Sequence, residues 1–227
     1  MATLFIVATP IGNLQDLSQR AVETLHNCPI IACEDTRTSR HLLEKFNIKA
    51  ELIAYHDNNE IACTAVLIEK LHQGQNVAVV CDAGTPTISD PGFRIVRECQ
   101  KQNILIVPIP GPNAAITALS ASGLPSNQFL FLGFPGHKSS ARIHLLEIYK
   151  NFPATLIFYE SCHRIEKFLR EIFDTLGSER VITLCKELTK LHEFIKTDTI
   201  GNFCAQFDKI TPKGEFVVLI APSNFSL

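Results

Sequence analysis

The sequence predicts an α/β protein of two domains, with a mostly parallel sheet in residues 1–122 and a mixed or antiparallel sheet in 123–227. Three observations predict it. Short unbroken apolar runs alternate with helical periodicity through the first half, as buried parallel strands joined by crossover helices require. A cluster of turn residues, GLPSN at 123–127, interrupts that alternation. Beyond it, three strand-like runs near the end have only one short helix between them, which favours antiparallel or mixed pairing.

In order along the chain, TLFIVA at 3–8 is a strand buried on both faces. Asp16, with Gln19 three residues on, resembles a capping box, and Leu17, Ala21 and Leu25 then share one helical face. PIIAC at 29–33 is a second strand. Residues 60–72 form an amphipathic helix on Ile61, Ala65, Ile68 and Leu71, ended near Gly74. NVAVVC at 76–81 and ILIVPI at 104–109 are two further buried strands. The helix between them starts after Pro91 and carries Phe93, Val96, Cys99 and Gln100. In the second half come FLFLG at 129–133, a helix around 140–150, TLIFYE at 155–160, and a helix on Ile165, Leu169, Ile172 and Leu176 stopped by Gly177. RVITLCKE, HEFIKTDT and EFVVLIA are the closing strands.

Composition narrows the function. The chain is 46% hydrophobic and 19% charged, enough apolar material for full cores and too much for a disordered protein. Its 21 Lys and Arg stand against 23 Asp and Glu, so any basic surface must be local. The eight cysteines lack C-x-x-C spacing, and the scattered histidines form no H-E-x-x-H pair, so no metal site is expected. Reduced thiols, the absence of a signal sequence and the absence of an apolar run of about 20 residues lead us to expect a soluble cytoplasmic protein.

The informative residues lie in turns after strands, where open α/β sheets bind ligands. ATPIGN at 8–13 lacks G-x-G-x-x-G, and the chain has no G-x-x-x-x-G-K-[ST] phosphate loop and no G-x-S-x-G nucleophile turn. DAGTPTISDPG at 82–92 follows a buried strand, and Gly84 there permits a positive φ and close backbone approach. PIPGPNAAITALSASG at 108–123 opens onto a helix of small residues. Pro and Gly turns can simply reverse a chain, but three of them after buried strands favour a shared ligand cleft. Two polar clusters accompany them, CEDTRTSRH at 33–41 and FYESCHR at 158–164. Each also suits a solvated helix start.

Taken in order and spacing, ATPIGNLQDLSQRA, EDTR, HDNNE, DAGTPTISDPG, PGPNAAITALSASGLP, FYESCHR and KGEFVVLI make the chain similar to the ribosomal RNA small-subunit methyltransferase I family. That family belongs to the tetrapyrrole-methylase fold superfamily, and the likeness runs from about residue 3 to 221. The EDTR and DAGTP segments set it apart from cobalt-precorrin methylases and diphthine synthase. The resemblance implies two α/β domains with S-adenosyl-L-methionine held between them, and a homodimer. It also implies 2′-O-methylation of a decoding-centre cytidine in the 16S rRNA of the small ribosomal subunit, with no metal. Cofactor contacts are expected from Pro10, Ile11, Asp82, Gly84, Thr85, Pro86, Ile88, Ser89, Gly111, Pro112, Asn113, Ala114 and Tyr159. Glu34, Asp35 and Glu160 are the candidate catalytic carboxylates, and the sequence does not choose among them. Arg37, Arg40, Lys138, Arg142 and Arg164 are the expected RNA contacts. Many members continue past KGEFVVLI with a small helical region, whereas this sequence stops at Leu227, so RNA is expected to be held by the core alone unless the chain is a shortened form. The rival readings are a methylase of the same fold acting on a tetrapyrrole or protein side chain, and a non-catalytic module binding RNA or an adenine-containing ligand.

Overall fold

A computed structural model of the chain describes residues 2–207 and 213–227. It divides into two compact units, Met1–Asn113 and Ala114–Leu227.

The first unit contains β1 (Thr3–Val7), α1 (Gln19–His26), β2 (Ile30–Cys33), α2 (Thr36–Lys45), β3 (Glu51–Ala54), α3 (Glu60–His72), β4 (Val77–Val80), α4 (Phe93–Lys101) and β5 (Leu105–Ile109). The strands form one parallel sheet in the order β3-β2-β4-β1-β5. Side chains alternate between two cores, as the period-two geometry of strands demands. Ile30, Ala32, Val77 and Val79 pack against Leu67 and Ile95 of α3 and α4. Ile31, Cys33, Ala78 and Val80 pack against Leu25 and Leu43 of α1 and α2. The helices on the two faces follow from right-handed crossovers running in opposite directions. Connections leaving β1 and β2 step toward β3, and those leaving β3 and β4 step toward β5. The direction reverses between the neighbours β1 and β4, and a ligand crevice is expected beyond their C-terminal ends.

Two local expectations change, and one strand goes unannounced in the sequence. Ser18, not Asp16, caps α1: its side chain accepts from the Ala21 amide, and Leu14–Asp16 form a short 3-10 turn. The helix at 60–72 has the expected bounds but a rotated face, because Cys63, Leu67 and Leu71, with Thr64 and Ile68, line the sheet side. Ile61 is left 72% exposed. Strand β3 carries no alternation signal because it is a half-covered edge strand paired only with β2.

The second unit contains α5 (Ala114–Ser122), β6 (Phe129–Gly133), α6 (Ser139–Ile148), β7 (Thr155–Ser161), α7 (Ile165–Leu176), β8 (Val181–Lys186), β9 (Phe194–Thr199), α8 (Ile200–Ala205) and β10 (Glu215–Ile220). Its sheet has the order β6-β7-β10-β8-β9, parallel only between β6 and β7. The mixed sheet matches the expectation from its closing strands. Phe158, Phe168, Ile172, Leu184 and Val218 form its core. This unit begins one helix earlier than the turn cluster at 123–127 suggests. Helix α5 packs on β7, β9 and β10, and the Thr197 hydroxyl donates to the Ser122 carbonyl at 2.6 Å. No helix among the described residues is long and apolar enough to cross a membrane.

Candidate functional site

The turns after β1, β4 and β5 are tied into one body at the C-terminal edge of the parallel sheet. Thr9 donates its amide to the Gly84 carbonyl at 2.8 Å, and Gly84 donates back to Thr9 at 3.1 Å. The Thr85 hydroxyl donates to the Pro112 carbonyl at 2.9 Å. Gly111 lies so close to the first turn that a Cβ on it would stand 2.9 Å from the Ala8 Cβ. Pro10, Ile11, Asp82, Gly84, Thr85, Pro86, Ile88, Ser89, Gly111, Pro112 and Asn113 therefore all belong to this one loop body.

Both glycines are needed by the loop body itself. Gly84 has φ +91°, and a Cβ there would make only ordinary contact with the Ile11 side chain at 3.5 Å, so its requirement is conformational. Gly111 is required by the packing of one turn on another. The 82–92 turn is also strained, with Thr87 at φ 75° and Ser89 at φ 63°. Such conformations cost about 1–3 kcal/mol each and persist where surrounding structure enforces them, often at ligand sites.

Ala114 and Tyr159 belong to the second unit. There the Tyr159 hydroxyl accepts from the Ala115 amide at 3.1 Å, at the start of α5. Its ring meets Phe131 and Phe134 edge-on, with centroids 4.9 and 5.5 Å away.

The three carboxylates named from sequence have different environments. Asp35 caps α2 by accepting from the Arg37 amide, and Arg37 Nη2 lies 2.6 Å from its Oδ2. The Arg37 hydrogen bonds pull Asp35 down to about 2, making it a poor base. Glu160 is fully buried and ion-paired with Arg164 at 2.8 Å, which leaves it without access to a substrate. Glu34 is only partly covered. Burial, followed by the negative charges of Asp82 and Asp57, raises its pKa. Of the three, Glu34 alone combines access with raised basicity.

Sequence reading named Asp82 only as a cofactor contact and missed Asp57 and Asp90, which with Glu34 make this edge acidic. Burial, then the charge of Glu34, pushes Asp90 up to about 6, with Asp82 and Asp57 adding to the rise. Asp82 is itself raised, chiefly by burial. Two strand ends ending in Cys-Glu-Asp and Cys-Asp, β2 and β4, were the available signal, because parallel neighbours in register place such residues side by side.

A pH effect follows. Asp90 titrates higher folded than unfolded, so its contribution to stability is fully present below about pH 4 and lost as the pH rises through about 6. Asp90→Asn removes that dependence. Scanning calorimetry should find the variant gaining on wild type between pH 4.5 and 7.5, by about 1 kcal/mol once solvent screening is allowed for. Parallel pH profiles would contradict the acidic cluster.

The basic residues also separate. Arg142 is a correction to the expected RNA contacts: it is 2% exposed, and its guanidinium grips Glu171 with two contacts of 2.6 Å. Arg164 is partly covered and bound to Glu160 and the Pro135 carbonyl. Arg37, Arg40 and Lys138 are exposed. Among the described residues, no group of three or more His, Cys, Asp or Glu could hold a metal ion. The three turns contain no Lys or Arg, carry Asp82 and Asp90, and lie near Glu34 and Asp57. That donor set suits a cationic ligand and not a phosphate.

Residues 3–204 match the family model described as Tetrapyrrole (Corrin/Porphyrin) Methylases. A ribosomal RNA small subunit methyltransferase I of Haemophilus influenzae is 50% identical over 219 residues, covering 96% of this chain and 77% of the relative. One from Mesorhizobium japonicum is 48% identical over 222 residues, covering 97% and 76%. A crystal structure of diphthine synthase superposes with a TM-score of 0.75 at 14% identity, covering 97% of this chain and 90% of that one. At that identity only the fold is shared. With the order of the sheets, the joined turns and these matches all in agreement, the chain belongs to the tetrapyrrole methylases and, within them, to the ribosomal RNA small subunit methyltransferase I family.

Proposed function

We propose that this protein methylates the ribose 2′-oxygen of a decoding-centre cytidine in 16S rRNA, with S-adenosyl-L-methionine as donor and a homodimer as the working form. The observation that carries this reading is identity of about half the residues, along nearly the whole chain, with relatives named for small-subunit rRNA methylation.

When bound, the cofactor supplies a methyl group already activated on a sulfonium. The acidic edge attracts that cation and holds it less well once transfer leaves a neutral sulfur. The turns at 8–13, 82–92 and 108–113 orient it through their joined backbones, so that alignment lowers the barrier. Glu34 takes the proton of the 2′-hydroxyl as the oxygen–methyl bond forms. Arg40 and Lys138, exposed and cationic, bind phosphates. Exposed Ile61 and Phe93 on α3 and α4 offer apolar surface that a second copy could bury.

Incubation with labelled S-adenosylmethionine and unmethylated small subunits, followed by nuclease mapping, should place the label on one ribose. Glu34→Gln should lower kcat by about a hundredfold or more, while the thermal midpoint stays near wild type. Label on a base, or none in RNA, would overturn the reading.

A further inference from the structure

Glu60 ends the HDNNE run at 56–60 and opens α3, and the chemistry above gives it no part. Its side chain is nearly covered, and it reaches away from its own helix to the start of α4. Oε1 accepts from the amides of Gly92 at 3.1 Å and Arg94 at 3.2 Å, and from the Tyr55 hydroxyl at 3.1 Å. Oε2 lies 3.0 Å from Arg94 Nε. The Tyr55 hydroxyl accepts in turn from the Ile95 amide at 3.3 Å. The first turn of a helix leaves its amides without intrahelical partners, and Gly92 at the cap position has no side chain to offer them. Three of these amides are thus satisfied by Glu60 of α3 and by Tyr55 in the turn between β3 and α3.

The same contact reaches the 82–92 turn. Gly92 sits at φ +134°, where a Cβ would come 2.8 Å from Thr87 Cγ2. The Thr87 amide donates to the Pro91 carbonyl at 3.3 Å. The strained Thr87–Gly92 stretch is therefore closed on itself and anchored at its far end by Glu60. Burial alone would raise the Glu60 pKa, but the Gly92 and Arg94 amides, Tyr55 and the Arg94 charge outweigh it and keep the group anionic.

We propose that Glu60 is a positioning residue, capping α4 from outside the helix and so holding the strained 82–92 turn in its ligand-binding shape. This rests on the reading of that turn as part of the cofactor site.

The test compares Glu60→Ala and Glu60→Gln in the full chain by hydrogen exchange without ligand, by calorimetry with S-adenosylmethionine, and by kinetics. In Glu60→Ala the amides of 84–95 should exchange about tenfold faster while those of β1 and the second unit stay protected. Cofactor affinity should weaken about tenfold, with KM rising more than kcat falls. Glu60→Gln keeps an acceptor at Oε1 and should recover most of both. Unchanged exchange at 84–95, or a uniform rise along the chain, would overturn the inference. Local loosening with undiminished cofactor affinity would instead overturn the assignment of the turn to the cofactor, and the positioning role with it. Should Glu60→Ala fail to fold, Tyr55→Phe carries the test: faster exchange near Ile95 with about threefold weaker binding supports the latch, and no change refutes it.

Discussion

Arg142→Ala is expected to lower the thermal midpoint by about 10 °C while leaving the RNA affinity of the folded fraction unchanged. Arg142 Nε and Nη2 each lie 2.6 Å from a Glu171 oxygen, and Nη1 donates to the carbonyls of Gly136 at 3.1 Å and His137 at 2.8 Å. Removing the guanidinium leaves a buried carboxylate with only the Ser139 hydroxyl, and two carbonyls lose their donor. Breaking a buried pair from one side costs about 3–5 kcal/mol, and each kcal/mol moves the midpoint of a chain this size by about 2–4 °C. Lys138→Ala, four residues away and exposed, should do the reverse: the midpoint holds, and the salt dependence of RNA binding loses about one counterion's share. Calorimetry and a salt titration on both variants distinguish them. An unchanged midpoint with weakened RNA binding in Arg142→Ala would return that residue to the RNA surface.

The contrast between these two neighbours shows what sequence carried and what it did not. In HKSSARIH both are basic residues near a helix start, and nothing local says that one turns inward. The partner that draws Arg142 in, Glu171, lies on α7, 29 residues on. The burial of Glu160, by contrast, is legible in the sequence. In β7 it shares a strand face with the core residues Leu156 and Phe158, so period-two parity alone predicts burial. The strands buried on both faces, and the turns at their ends, were readable because apolar runs and Pro/Gly punctuation are local signals. Edge strand β3 was not, because a half-covered strand needs no apolar run. The raised pKa of Asp90 was only partly legible: the register of β2 and β4 sets the Glu34 end beside the Asp82 end, whereas Asp57 and Asp90 arrive on turns whose paths no local pattern gives.

The joining of those turns leads to the second large effect. Gly111→Ala should weaken S-adenosylmethionine binding by about tenfold or more, and adding Ala8→Gly should restore it. The new methyl would stand 2.9 Å from the Ala8 Cβ, closer than packed carbons tolerate, and relieving that overlap costs about 1–3 kcal/mol as the 108–113 turn moves off the first. Pro112 moves with it, and its carbonyl is the acceptor for Thr85 of the 82–92 turn, so the displacement reaches all three. With Ala8 reduced to glycine, the nearest remaining atom is the Ala8 carbonyl oxygen at 3.5 Å, an ordinary contact. Gly84→Ala should resist any such rescue. Its difficulty is φ +91°, which no neighbour's truncation relieves. Calorimetric titration of the two single variants and the Ala8→Gly, Gly111→Ala pair reads this directly. If the pair binds no better than Gly111→Ala alone, the contact between the first and third turns does not shape the cofactor site.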